Sequence, residues 1–164
     1  TVTVEYAIGD AGPAGGIIFY VDSADTYPLW KYLEAAPADI GTMAWVISGT
    51  TYANSLIGGT SQAIGTGKDN TVAILAAADT DAPAAKACDD YSSGGFDDWF
   101  LPSLDELYEM HLNRTAIGGV PNGFYWSSSE ATYNFAEYRH FDDYYSFGTQ
   151  FKYATHLVRP IRAF

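Results

Sequence analysis

Strand-like segments fill both ends of this chain and helix signals are confined to its middle. That order excludes an alternating parallel α/β sheet and predicts an α+β fold. At the front, "TVTVEY" (1–6) alternates as a strand does, and "GDAGPAGG" (9–16) is a Gly/Pro turn region opening into the apolar run "IIFYV" (17–21). "LWKYLEAAP" (29–37) and "MAWVI" (43–47) read as further short strands. After Gly118 and Gly119, strand character returns in "FYWSSSE" (124–130), "AEYRHF" (136–141), "TQFKY" (149–153) and "HLVRPIRAF" (156–164).

Two to three helices are expected between these groups. Asp69 or Asn70 is placed to cap a helix containing Val72, Ile74 and Leu75, and Asp81 with Pro83 suits the start of a shorter one. The firmest local signal is "LPSLDELYEMHLNR" (101–114), where Ser103 and Glu106 have capping-box spacing and Leu104, Leu107 and Tyr108 share one face. His111 is expected on the solvated side of that helix, and "DWFL" before it as a strand.

With 164 residues, no evident linker, 48% hydrophobic content and 17% charged residues, one globular domain over 1–164 is expected. The single cysteine, Cys88, cannot form an internal disulfide, so packing must supply stability. It is expected as a small buried hydrophobe on a helix. A net charge of −12 repels phosphate backbones and anionic lipid, which sets aside nucleic acid and membrane surfaces as partners. No apolar run approaches the roughly 18 residues of a bilayer span. No basic, apolar leader pattern is visible at Thr1, and a start at Thr instead of Met suits a processed or excised form, from which any targeting signal would be lost to view.

The sequence predicts no enzyme and no catalytic residue. Gly65, Gly67 and Lys68 fail the phosphate-loop spacing, because Gln62 and Asp69 stand where Gly and Ser or Thr belong. His111, His140 and His156 are scattered in no zinc pattern, and GxSxG is missing. Carboxylates cluster at Asp79/Asp81, Asp89/Asp90, Asp97/Asp98 and Asp105/Glu106 without EF-hand spacing. Solvated loops and helix caps account for them, so no cofactor is expected; a structural Ca2+ is the one ion their chemistry leaves open.

The densest feature is the tail. Residues 131–157 hold nine Tyr and Phe in 27 positions, about twice the whole-chain aromatic content of 16%. Core strands favour such rings. "DDYYSFG" (142–148), however, contains turn residues and cannot direct all its rings inward. Tyr and Phe interspersed with Ser, Gly, Asn, Asp and Thr have the chemistry of a paratope: rigid contact area beside small, adaptable hydrogen-bonding groups.

The blocks "IGDAGPAGGIIFYVD", "LEAAPAD", "AIGTGKDNTVAIL", "DWFLPSLDEL", "YWSSSE" and "VRPIRAF", in this order, resemble those of a domain found at the C-terminus of bacterial collagen-like adhesins. That family has a C-type lectin-like fold of the subtype shared with formylglycine-generating enzymes, and the resemblance runs over nearly the whole chain. It implies short mixed and antiparallel strands, with the N- and C-terminal strands close together and "VRPIRAF" pairing back toward the N-terminal strand. The tail is similar to that of the variable proteins of diversity-generating retroelements, in which adenine-directed mutagenesis rewrites AAC codons while a scaffold stays fixed. Such codons cannot become Glu, Gln, Lys, Trp or Met. Between 131 and 157 these residues occur only as Glu137, Gln150 and Lys152.

On that resemblance, 131–157 is a variable ligand-binding region. Its candidate contact residues begin with Ala131, Thr132, Tyr133, Asn134 and Phe135. They continue through Tyr138, His140, Asp142, Asp143, Tyr144 and Tyr145, and end with Phe147, Phe151, Tyr153, Thr155 and His156. Glu137, Gln150 and Lys152, with Ala136 and Phe141, are the implied fixed positions. Rings such as Tyr138 and Tyr145 are expected to serve contact without contributing stability, while Arg159 and Arg162 are expected in structural ion pairs. The implied function is a non-enzymatic receptor- or adhesin-type domain at a cell surface or on a virion, binding a protein or glycan on another cell or particle. The alternative is an adhesin or lectin of fixed specificity for glycans or matrix. One cysteine cannot reproduce the cysteine pair of formylglycine-generating enzymes, and the calcium-dependent sugar motifs of C-type lectins do not occur.

Overall fold

A computed structural model describes residues 4–142, 144 and 146–164. Among them are eight strands: β1 (Ile17–Val21), β2 (Tyr32–Ala35), β3 (Gly41–Ala44), β4 (Phe124–Glu130), β5 (Phe135–His140), β6 (Phe147–Phe151), β7 (Thr155–Val158) and β8 (Ile161–Ala163). Four α-helices lie between the strand groups: α1 (Gly67–Ala78), α2 (Pro83–Asp89), α3 (Leu104–Leu112) and the single turn α4 (Arg114–Ile117). The fold is therefore α+β. Both sheets are open, one ordered β1-β2-β8 and the other β3-β7-β4-β5-β6. Pairing is antiparallel except between β4 and β7, which makes the larger sheet mixed.

Alternation along β4 divides the interior. Tyr125 and Trp126 are both fully buried but point to opposite faces. Trp126 joins Trp45, Val46, Val158, Ile74 of α1 and Ala84, Ala85 and Cys88 of α2. Tyr125 joins Phe19, Leu33, Leu107, Met110, Phe141 and Ile161. Burial of each large side chain contributes roughly 1.5–3 kcal/mol. Cys88 is buried as expected, and burial, with Asp89 beside it, pushes its thiol well up.

The capping box forms as the spacing predicts. Ser103 Oγ accepts from the Glu106 amide, and Glu106 Oε2 accepts from the Ser103 amide at 2.7 Å. Glu106 does more than cap its own helix, because its Oε1 also accepts from Gly65 at 2.9 Å and Gly67 at 3.4 Å. Full burial pushes this carboxyl up to about 7 against the pull of those amides. Close approach of α1 to α3 requires Gly67, where a Cβ would fall 2.1 Å from Glu106 Oε2.

Several sequence expectations are corrected. Residues 4–6 form no strand, and 1–3 lie outside the described residues. The α1 cap is Thr66; Asp69 sits in the first turn and Asn70 is buried, its Nδ2 donating to Ser61 O and Ser128 Oγ. Ala82, not Asp81, precedes Pro83 at the start of α2. "DWFL" contributes only an isolated bridge from Phe100 to Ile161. The terminal segment divides at Arg159–Pro160 into two strands on different sheets, and β8 pairs with β2 instead of the N-terminal strand, since β2 is the central strand of its sheet.

His111 is the sharpest correction. It is buried, with its ring stacked on Phe141 at 4.7 Å and Nε2 donating to the Asp142 carbonyl at 2.6 Å. Burial lowers its imidazole against the opposing pull of the Asp142 carbonyl, and the ring is part of the core under the tail.

The expected arginine pairs are present. Arg159 Nη1 meets Asp39 at 2.9 Å, and Asp39 also accepts from the Tyr125 hydroxyl at 2.8 Å. Arg162 bridges Asp98 and Glu34, tying the chain's last strand to β2 and to the loop before α3.

Candidate functional site

The tail folds as β5, β6, β7 and the turns between them. Its candidate contact residues separate cleanly by burial. Thr132, Tyr133, Tyr144, Phe147, Phe151, Tyr153 and Thr155 are exposed, while Ala131, Asn134, Phe135, Tyr138, His140, Asp142 and His156 are half-buried. Asp143 and Tyr145 lie outside the described residues. Of the implied fixed positions, Ala136, Glu137, Phe141 and Lys152 are buried and Gln150 is half-buried.

The strand period places these side chains on two faces. β5 and β6 pair as Phe135↔Phe151, Glu137↔Thr149 and Arg139↔Phe147, so those residues share one face. Phe135 stacks on Phe151 at 4.5 Å, and Phe151 on Tyr153 at 5.1 Å, making a ladder of rings at one end. At the other end the Arg139 guanidinium lies 5.5 Å from the Phe147 ring and 4.6 Å from Tyr108. The two ends are roughly 13 Å apart, four residues at strand rise.

The opposite face carries Tyr138, His140 and His156, and it recruits a ring from outside the tail. Phe124 of β4, 44% exposed, stacks on His140 at 4.2 Å and meets Tyr138 edge-on at 5.2 Å. His156 contacts Trp126 at 4.2 Å, and burial holds its imidazole down. Tyr138 is thus shared between surface and interior: it packs against the buried Trp126 cluster, contrary to the expectation that it contributes contact alone. Phe124 was missed in the sequence because it precedes the aromatic-rich segment; its position two residues before Trp126 on one strand was the available signal.

The β5–β6 turn is organised by Asp142. Its carboxylate accepts from the Ser146 hydroxyl at 3.0 Å and the Tyr144 amide at 3.0 Å, and contacts His140 Nδ1 at 2.8 Å. Desolvation opposes ionisation, but these partners outweigh it and hold the carboxyl at about 2. The turn presents Tyr144, 88% exposed, beside Phe147, 63% exposed. The β6–β7 connection is fastened from beneath by Lys152, whose Nζ reaches Glu130 at 2.6 Å and the carbonyls of Tyr52, Ser55 and Tyr133.

Among the described residues no three His, Cys, Asp or Glu side chains gather as an ion would require, and no helix is long and apolar enough to cross a membrane. The arrangement offers exposed rings, hydroxyls and amides on a fastened backbone, which is equipment for contact.

No family profile matches the chain, and no curated protein matches it. Its structure is similar to the crystal structure of a fimbrial protein from Bacteroides ovatus ATCC 8483, with a TM-score of 0.65 and 16% sequence identity. The similarity covers 93% of this chain and 45% of that one, so this chain spans less than half of the fimbrial protein's length.

Proposed function

We propose that residues 1–164 form one C-type lectin-like domain of a non-enzymatic, surface-displayed binding protein, and that 131–157 is its variable ligand-binding region. One observation carries this reading. Of the fourteen described candidate contact residues none is buried, whereas four of the five positions that the mutagenesis resemblance holds fixed are buried and the fifth is half-buried. A surface rewritten at random survives only if the altered side chains contribute little to folding, and this partition supports the reading most strongly at the seven exposed positions, less so at Tyr138 and His156, which also touch the interior. The ligand is a protein or glycan on another cell or particle, met by Tyr133, Tyr144, Phe147, Phe151 and Tyr153. Exposed rings of this kind contribute on the order of 1–2 kcal/mol each when they enter a pocket.

Sequencing the gene's neighbourhood tests the proposal. It requires a reverse transcriptase beside a near-copy of the 3′ end with asparagine codons at the varied positions. A second reading, an adhesin of fixed specificity, is supported by the fimbrial structural neighbour. It requires sibling genes whose tails differ no more than their scaffolds, and finding those without a template repeat would replace the first reading.

A further inference from the structure

β6 is the outermost strand of the larger sheet, and its hydrogen-bonding phase follows from two backbone contacts at its ends. His140 N donates to Ser146 O at 2.9 Å, and Lys152 N donates to Asn134 O at 3.1 Å. Residues 146 and 152 therefore face β5, and by the antiparallel alternation so do Gly148 and Gln150, opposite Tyr138 and Ala136. The amides and carbonyls of Phe147, Thr149 and Phe151 point away from the sheet. Phe151 is already closed off: its N–H donates to Gln150 Oε1 at 2.9 Å and its carbonyl accepts from Ala154 N at 2.9 Å. That leaves Phe147 and Thr149, with two N–H and two C=O groups in strand geometry and no bond to a described residue on that side.

The side chains of this open edge belong to the ring-bearing face. Phe147 and Phe151 stand on either side of Thr149, and both rings are exposed. No charge, proline or bulge blunts the strand, although such devices commonly protect a free edge. A backbone edge of two donors and two acceptors spaced two residues apart is complementary to one chemistry, another strand. The hydroxyls of a glycan could meet these groups singly but do not repeat at a strand's spacing.

We propose that the ligand is a protein that presents an extended segment, and that this segment adds to β6 as a sixth strand through the main chain of Phe147 and Thr149. The inference rests on the reading of 131–157 as the binding region and names its class of ligand. Main-chain bonds hold the segment, and the rings at 147 and 151 select its alternate side chains. The division suits a diversified surface, because the backbone grip persists whichever side chains occupy those positions. An acidic domain of net charge −12 further favours a basic segment.

The test pans a library of random linear peptides displayed on phage against the domain, then measures the affinity of a synthesised hit for four proteins. These are the wild type, Thr149→Pro, Thr149→Val and Phe147→Ala. Proline is tolerated in an edge strand where its nitrogen faces solvent, and it deletes one outward donor; an unchanged circular dichroism spectrum verifies the fold. Binding weakened at least tenfold by Thr149→Pro and less than threefold by Thr149→Val supports edge pairing. Equal affinity for wild type and Thr149→Pro overturns it. If Phe147→Ala abolishes that same binding, the ring surface stands as the contact region while strand addition fails. If neither variant matters, both fail. Recovery of no peptide also overturns the proposal.

Discussion

Lys152→Met will lower the stability of the domain by about 3–5 kcal/mol, although residue 152 lies between two exposed residues, Phe151 and Tyr153. The ammonium group is fully buried and the Glu130 side chain is 3% exposed. Methionine fills much of the space but donates nothing. It leaves the Glu130 carboxylate without its cation, and it leaves the Tyr52, Ser55 and Tyr133 carbonyls short of a donor. Glu130 keeps only the amides of Ile57 and Gly58. Denaturant unfolding measures the loss, and adding Glu130→Gln should recover part of it, since the uncompensated charge accounts for much of the penalty. A change under 1 kcal/mol would show that Lys152 is not the fastening of the β6–β7 connection.

Arg162→Ala is expected to cost a similar amount, about 3–5 kcal/mol, on the smaller sheet. The guanidinium holds Asp98 with two bonds of 2.7 and 3.0 Å and reaches Glu34 at 3.2 Å, sandwiched between the Phe96 and Phe164 rings. Its hydrogen bonds keep the Asp98 carboxyl below the usual carboxylate range. Glu34, fully buried, also accepts from the amides of Ala14 and Gly16, and a Cβ at Gly16 would fall 2.1 Å from the Ala35 carbonyl. Without Arg162 that carboxylate keeps only backbone donors. Arg162→Lys should restore little, because an ammonium cannot form the two-pronged contact with Asp98. Full recovery of stability in the lysine variant would contradict this account.

What was legible in the sequence was what neighbours in the chain decide. Ser103 and Glu106 announced the start of α3 because both partners of a capping box lie within one turn. The exposure of Tyr144 and Phe147 was legible because "DDYYSFG" contains turn residues. Features set by distant partners were hidden. His111 looked solvated until Phe141 and Asp142, about thirty residues on, covered it. Asn70 reads as a cap, but Ser128 and Ser61 claim its amide inside the protein. The division of the tail between two sheet faces depends on the β5–β6 register, and the recruitment of Phe124 depends on β4 lying beside β5. The expected pairing of the last strand toward the chain's beginning failed for the same reason: which strand takes the centre of a sheet is a tertiary matter.

The most direct measurement compares two melting temperatures. In one variant Tyr133, Tyr144, Phe147 and Tyr153 are all replaced by serine; in the other only Phe141, which is fully buried, becomes alanine. A domain of this size loses about 2–4 °C per kcal/mol. Four water-facing rings should together cost less than about 5 °C, while the single buried ring, worth about 3–5 kcal/mol, should cost roughly 6–20 °C. A fourfold variant that melts as low as Phe141→Ala would mean that these rings hold the fold together, and a freely rewritable contact surface could not exist there.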